Sequence, residues 1–209
     1  MKNITSSLET KHFPVMLEEV IQTCLPAKKN QLIIDCTFGG GGYSKELLKF
    51  PNTKIIALDR DKSAISRASY LAKDFPVKFS FYNEKFSNLD KIIKKNNKPD
   101  VIIFDLGLST FQLQDHSRGF SFKSNERIDM QMGLSKISAE DVINKIDEKS
   151  LKLIIKILGE EMEAGRIAKN IIKARKLKKI DTVTELVRII EKSKKKNYNK
   201  NPWRRTRSR

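Results

Sequence analysis

Residues 31–44 read QLIIDCTFGGGGYS: a short apolar run, an acid, then four consecutive glycines ahead of a helix-like stretch. Four residues without a side chain give more backbone freedom than a corner needs, and they let a ligand approach the main chain closely. The alternative is a tight turn that holds nothing. Which of the two applies depends on what the rest of the chain places beside residues 39–42.

Three further runs resemble 31–35. They are KIIALD (54–59), VKFSFY (77–82) and DVIIFDLG (100–107). Near-continuous apolar runs of this length are the pattern of parallel strands buried on both faces. Helix-like stretches separate them: 44–50, 62–73 with Asp61 as its N-cap, and 88–95 with Ser87 as its cap. Strands alternating with helices predict βαβ units with right-handed crossovers, hence an α/β fold with a parallel sheet. The alternation stops near 107. A polar loop with interleaved aromatics follows, STFQLQDHSRGFSFKSNERIDMQMG (109–133), and from 139 onward the periodicity is helical. There Leu151, Ile154, Ile155 and Leu158 form one apolar face, and Gly159 is placed to end that helix. Met162, Ile167, Ile171 and Ile172 continue the pattern. Thr182 and Glu185 form a capping box. The division read from this is a core at 1–135, a helical insertion at 136–193 and a basic tail at 194–209.

The net charge is +17 over 209 residues, unevenly spread. Residues 173–209 hold 15 Lys and Arg against 3 Asp and Glu, leaving 27 against 22 in the first 172. A basic tail on a near-balanced body suits a nucleic-acid partner, although a Lys-, Ile- and Asn-rich composition alone also raises the charge. Two cysteines, Cys24 and Cys36, are too few for a disulfide framework and lack metal-ligand spacing. No apolar run reaches membrane-spanning length, and the first residues have no signal-peptide core. The expectation is a cytoplasmic protein with no metal and no membrane partner.

In an open α/β sheet the ligand sits beyond the carboxyl ends of the strands, which is where residues 39–42 fall. Asp59 ends the second strand 18 residues after Gly41, placed to accept hydrogen bonds from ribose hydroxyls. A dinucleotide fingerprint wants a third glycine where Ser44 stands, and the Lys-Ser/Thr pair of a P-loop is absent. Acids at 35, 59 and 105 instead suit S-adenosylmethionine, which carries an ammonium and no pyrophosphate.

Several motifs together resemble the bacterial ribosomal RNA small subunit methyltransferase H family. They are HFPVMLEEV (12–20), DCTFGGGGYS (35–44), ALDRD (57–61), DLGLSTFQLQD (105–115), RGFSF (118–122), IDMQM (128–132), GEE (159–161) and TVTEL (182–186). The resemblance implies a seven-stranded methyltransferase core with a helical insertion after the fourth strand. It also implies methylation of the N4 amine of a cytidine in 16S rRNA of the small ribosomal subunit. By position it assigns Gly41, Gly42 and Tyr43 to the cofactor, Asp59 to its ribose and Phe86 to its adenine, with Asp105 and Gln112 near the methionine end. The family usually has His where this chain has Tyr43. Asp105 is the catalytic candidate, accepting from the amine, and Ser109 is a second acceptor. Arg118, Phe120 and Phe122 combine charge with aromatic faces, as recognition of an unstacked base requires, unless their rings are buried in a loop folded on itself. His12 and His116 receive no role, and Met130 and Met132 are read as packing. Past Pro202 the chain diverges from the family, and truncation is expected. A remnant that binds RNA or S-adenosylmethionine without catalysis is the alternative function, and an NAD-linked enzyme a distant third.

Overall fold

The computed structural model describes residues 14–24, 30–93, 98–122 and 124–194. His12 and the tail from 195 on lie outside the described residues. The chain divides into two compact units. One is residues 1–111 with Met132–Leu134; the other is Gln112–Gln131 with residues 135–209.

In the first unit the four apolar runs form a parallel sheet: β1 Gln31–Asp35, β2 Thr53–Leu58, β3 Phe79–Tyr82 and β4 Val101–Ile103. Their spatial order is β3-β2-β1-β4, so the order reverses beside β1. The central strand is buried on both faces, which is why its pattern does not alternate. Ile33 packs into a core with Leu47 and Leu48 of α2 (Gly42–Leu48), Ala64, Ala68 and Leu71 of α3 (Ala64–Asp74), and Cys24 of α1 (Leu17–Cys24). Ile34 points the other way, into a smaller cluster with Leu58, Leu89 and Ile92; the last two belong to α4 (Leu89–Ile92).

The sequence pattern misplaces several element ends. β4 stops at Ile103 rather than 107, because the Asp105 N–H leaves the ladder and donates to Thr37 Oγ1 at 2.8 Å. Asp61 does not cap α3 directly. Its carboxylate accepts from Ser63 N at 3.0 Å in a turn, and the helix starts one residue later. Ser87 lies within a 3-10 turn (Phe86–Asn88), and α4 begins after it.

The second unit holds α6 (Ala139–Lys145), α7 (Glu148–Ile157), α8 (Ala164–Leu177) and α9 (Val183–Ser193), following α5 (Thr110–Gln114), which crosses the division. Ile128, Ile143, Leu151, Ile167, Ile171, Ile180 and Val183 make its core. The expected box at the start of α9 is present, with Thr182 Oγ1 accepting from Glu185 N. A second box, Ser138 with Asp141, starts α6. The apolar face expected on α7 is narrower than its sequence suggests. Leu151 is buried and Ile155 packs beside it, one turn on, while Ile154 points away and Leu158 lies past the last turn; both are exposed. Gly159 does not take the left-handed conformation after this helix; Glu160 does, at φ 48°.

Candidate functional site

The loop after β1 is held from several sides. Gly39 and Gly41 have φ of 52° and 78°, the left-handed region that favours glycine. The N–H of Gly39 donates to Asp59 Oδ2 at 2.7 Å, and Asp59 Oδ1 accepts from Asp61 N at 2.8 Å. Asn83 Nδ2 donates to the Asp59 carbonyl at 2.8 Å. Asp59, expected to face a ribose, is therefore also the acceptor that shapes the glycine loop, with lone pairs left for a further donor. Burial pushes its carboxyl above the usual range, and the donated N–H groups of Asp61 and Gly39 pull against it.

The glycines touch protein as well. A Cβ on Gly40 would lie 2.8 Å from the Phe111 ring, one on Gly41 would lie 2.6 Å from Phe38, and one on Gly42 would strike Pro14. Part of the run thus serves close packing of side chains over the loop, a role the sequence does not separate from ligand approach.

Asp35, at the end of β1, is fully buried. Its oxygens accept from Thr37 N at 3.1 Å and Ser44 Oγ at 2.8 Å. Burial raises its carboxyl from 3.8 to about 6 against those two bonds, and the nearby charges of Asp59 and Asp105 add to the rise. Three carboxylates thus gather at the carboxyl ends of β1, β2 and β4. Their mutual repulsion favours a cationic ligand and opposes a pyrophosphate. The Tyr43 hydroxyl donates to the Val15 carbonyl at 2.6 Å. Its pKa is pushed up to about 12, first by burial and then by the Asp105 charge beside it.

Asp105 is exposed, at the start of the loop that carries half-buried Ser109. Phe86 is also exposed, and it meets Phe104 edge to face at 5.4 Å, leaving aromatic surface open to a planar ligand. Sequence reasoning missed Phe104, Thr37, Ser44, Arg67 and Phe111. Only Ser44, one position past Tyr43, stood inside a quoted motif with a visible anomaly, the absent third glycine.

In the second unit Gln112 is buried, on α5. Arg118 Nη2 donates to the Gln131 carbonyl at 2.7 Å, and its guanidinium lies 5.3 Å from the centroid of Phe120. Phe120 is buried, its ring against Arg118, whereas Phe122 is 59% exposed.

A parallel sheet ordered 3-2-1-4, a glycine loop at its switch point and a carboxylate after β2 bonded into that loop define a Rossmann-like domain built to hold a nucleoside-bearing cofactor. Residues 9–207 match the model of the MraW methylase family, and the chain belongs to that family. The ribosomal RNA small subunit methyltransferase H of Orientia tsutsugamushi (strain Ikeda) is 41% identical over 182 residues, covering 87% of this chain and 58% of that protein. The protein of the same name from Clostridium botulinum (strain Kyoto / Type A2) is 41% identical over 191 residues, covering 89% and 61%. The chain thus spans about three fifths of the length of these relatives. A solved rRNA methylase from Streptococcus thermophilus overlaps at 22% identity over 44% of this chain and 53% of that one, with a TM-score of 0.37, too partial to bear on the fold.

Proposed function

We propose that the chain binds S-adenosylmethionine at the carboxyl ends of its strands and serves methylation of the N4 amine of a cytidine in 16S rRNA of the small ribosomal subunit. The observation that carries this is the Asp59 carboxylate, which follows β2 and accepts from Gly39 N–H at 2.7 Å beside two further acids. The names of the relatives supply the substrate class, and the cytidine N4 atom follows the family resemblance.

In this reading Gly41, Gly42 and Tyr43 line the cofactor, Asp59 accepts from its ribose and Phe86 covers its adenine. The assignment of Gln112 rests on the resemblance alone. When bound, S-adenosylmethionine supplies a methyl group already activated by its sulfonium. The chain then has to hold a weakly nucleophilic amine in line and accept its proton. Asp105 is exposed for that task, with Ser109 as the second acceptor. Positioning of this kind supplies about 7–11 kcal/mol of a barrier. In the helical unit, taken by itself, exposed Phe122 and Arg118, whose guanidinium lies against Phe120, are the candidate RNA contacts.

The test is methyl incorporation from labelled S-adenosylmethionine into small ribosomal subunits that lack the modification. Label at a cytidine N4, lost in Asp105→Ala, is the expected result. Near-wild-type turnover in Asp105→Ala would overturn the role of that carboxylate. Cofactor binding with no incorporation would favour a chain that binds without catalysing.

A further inference from the structure

The backbone of Gly39 is held on both sides of its Cα. Its N–H is taken by Asp59, and its carbonyl accepts from Arg67 Nε of α3 at 2.9 Å. The same guanidinium lies 4.5 Å from the centroid of Phe111, within cation–π range, and its Nη2 reaches Ser63 Oγ at 3.3 Å. Phe111 in turn presses on Gly40, where a Cβ would lie 2.8 Å from the ring. Gly40 is not among the glycines with positive φ, so the nearby ring, not backbone conformation, excludes a side chain there. Phe111 sits six residues after Asp105, in the first turn of α5, which follows the loop that carries Asp105 and Ser109.

We propose that Arg67 and Phe111 are positioning residues: a clamp that fixes the glycine loop and ties it to the segment bearing Asp105, so that cofactor affinity depends on two side chains outside the expected cofactor contacts. This rests on the reading of the loop as the cofactor's, and the test separates the two claims. Amide hydrogen exchange at Gly39 and Gly41 reads the clamp without any cofactor. Calorimetric binding of S-adenosylhomocysteine reads its consequence.

Arg67→Ala and Phe111→Ala are expected to speed that exchange by more than their loss of global unfolding free energy accounts for. Each should weaken binding about tenfold, with the double variant losing much less than the product of the two. Phe111→Tyr, which keeps the ring face, should restore binding; Arg67→Lys, which lacks the planar guanidinium, should not. Gly40→Ala should weaken binding in the wild-type background and cost nothing further in Phe111→Ala. Unchanged exchange in both alanine variants would overturn the clamp, as would an equal cost of Gly40→Ala with and without Phe111. If the wild-type chain binds no S-adenosylhomocysteine, the cofactor reading fails, and exchange alone decides whether the clamp exists.

Discussion

Asp35→Asn should change how stability depends on pH, in a direction opposite to that of most carboxylates. The Asp35 carboxyl is 1% exposed and rises from 3.8 to about 6 in the folded chain, chiefly through burial. Between those values the folded state holds a proton that the unfolded state has released. Stability therefore falls as pH rises through the window, and the loss is complete above about pH 6. A rise of about two pH units corresponds to roughly 3 kcal/mol, at about 1.36 kcal/mol each. Asn keeps an oxygen for the Thr37 N–H, and the Ser44 hydroxyl rotates to accept where it now donates. Urea denaturation of both proteins at pH 4, 5, 6 and 7 gives the difference in unfolding free energy, in which titrating groups not coupled to Asp35 cancel. Asparagine should gain on aspartate by about 2 kcal/mol from pH 4 to pH 7, the remainder of the roughly 3 kcal/mol falling below pH 4. A difference that is flat with pH, or that falls, would refute the assignment of a desolvated carboxyl at this position.

Three other outcomes follow from particular contacts. Asp59→Ala removes the acceptor for two backbone N–H groups and should weaken cofactor binding by ten- to a hundredfold, on the scale of about 1.5–3 kcal/mol for a charged hydrogen bond; calorimetry reads it. Tyr43→Phe loses the 2.6 Å bond to Val15 and should cost about 1 kcal/mol in urea denaturation. Because that hydroxyl holds its proton up to about 12 in the folded chain while an unfolded tyrosine releases it near 10, the cost should be smaller at pH 10 than at pH 7. Thr182→Ala removes a capping-box acceptor at α9 and should lower stability by about 1 kcal/mol without altering cofactor affinity.

Much of the first unit was legible because its signals are local. Ile33 and Ile34 are adjacent and both apolar within a five-residue run that ends at a glycine loop, which suits a strand covered on both faces. Asp59 could be placed because strand length and loop length together fix its distance from the glycines. The Thr182 box is a four-residue pattern and needs no tertiary information. Contacts between distant segments were not legible. Asp105 N–H to Thr37 Oγ1, Arg67 Nε to the Gly39 carbonyl, and Phe111 against Gly40 each join residues 28 or more apart or separate elements. No periodicity encodes them. The face of α7 was overread for a related reason: 3.6-residue spacing marks Leu151 and Ile155 correctly, but it cannot say where the neighbouring helix ends, so Ile154 and Leu158 joined the stripe without a partner.

In the proposed site the acids at 35, 59 and 105, beside a glycine loop that Asp59 braces, select a cationic adenosyl cofactor. Titration of the chain with S-adenosylmethionine, in the presence and absence of NAD, tests it directly. Saturable binding of S-adenosylmethionine that excess NAD does not displace, and that Asp59→Ala weakens, is the predicted result. Tighter binding of NAD, or no binding of S-adenosylmethionine by the folded chain, would contradict it.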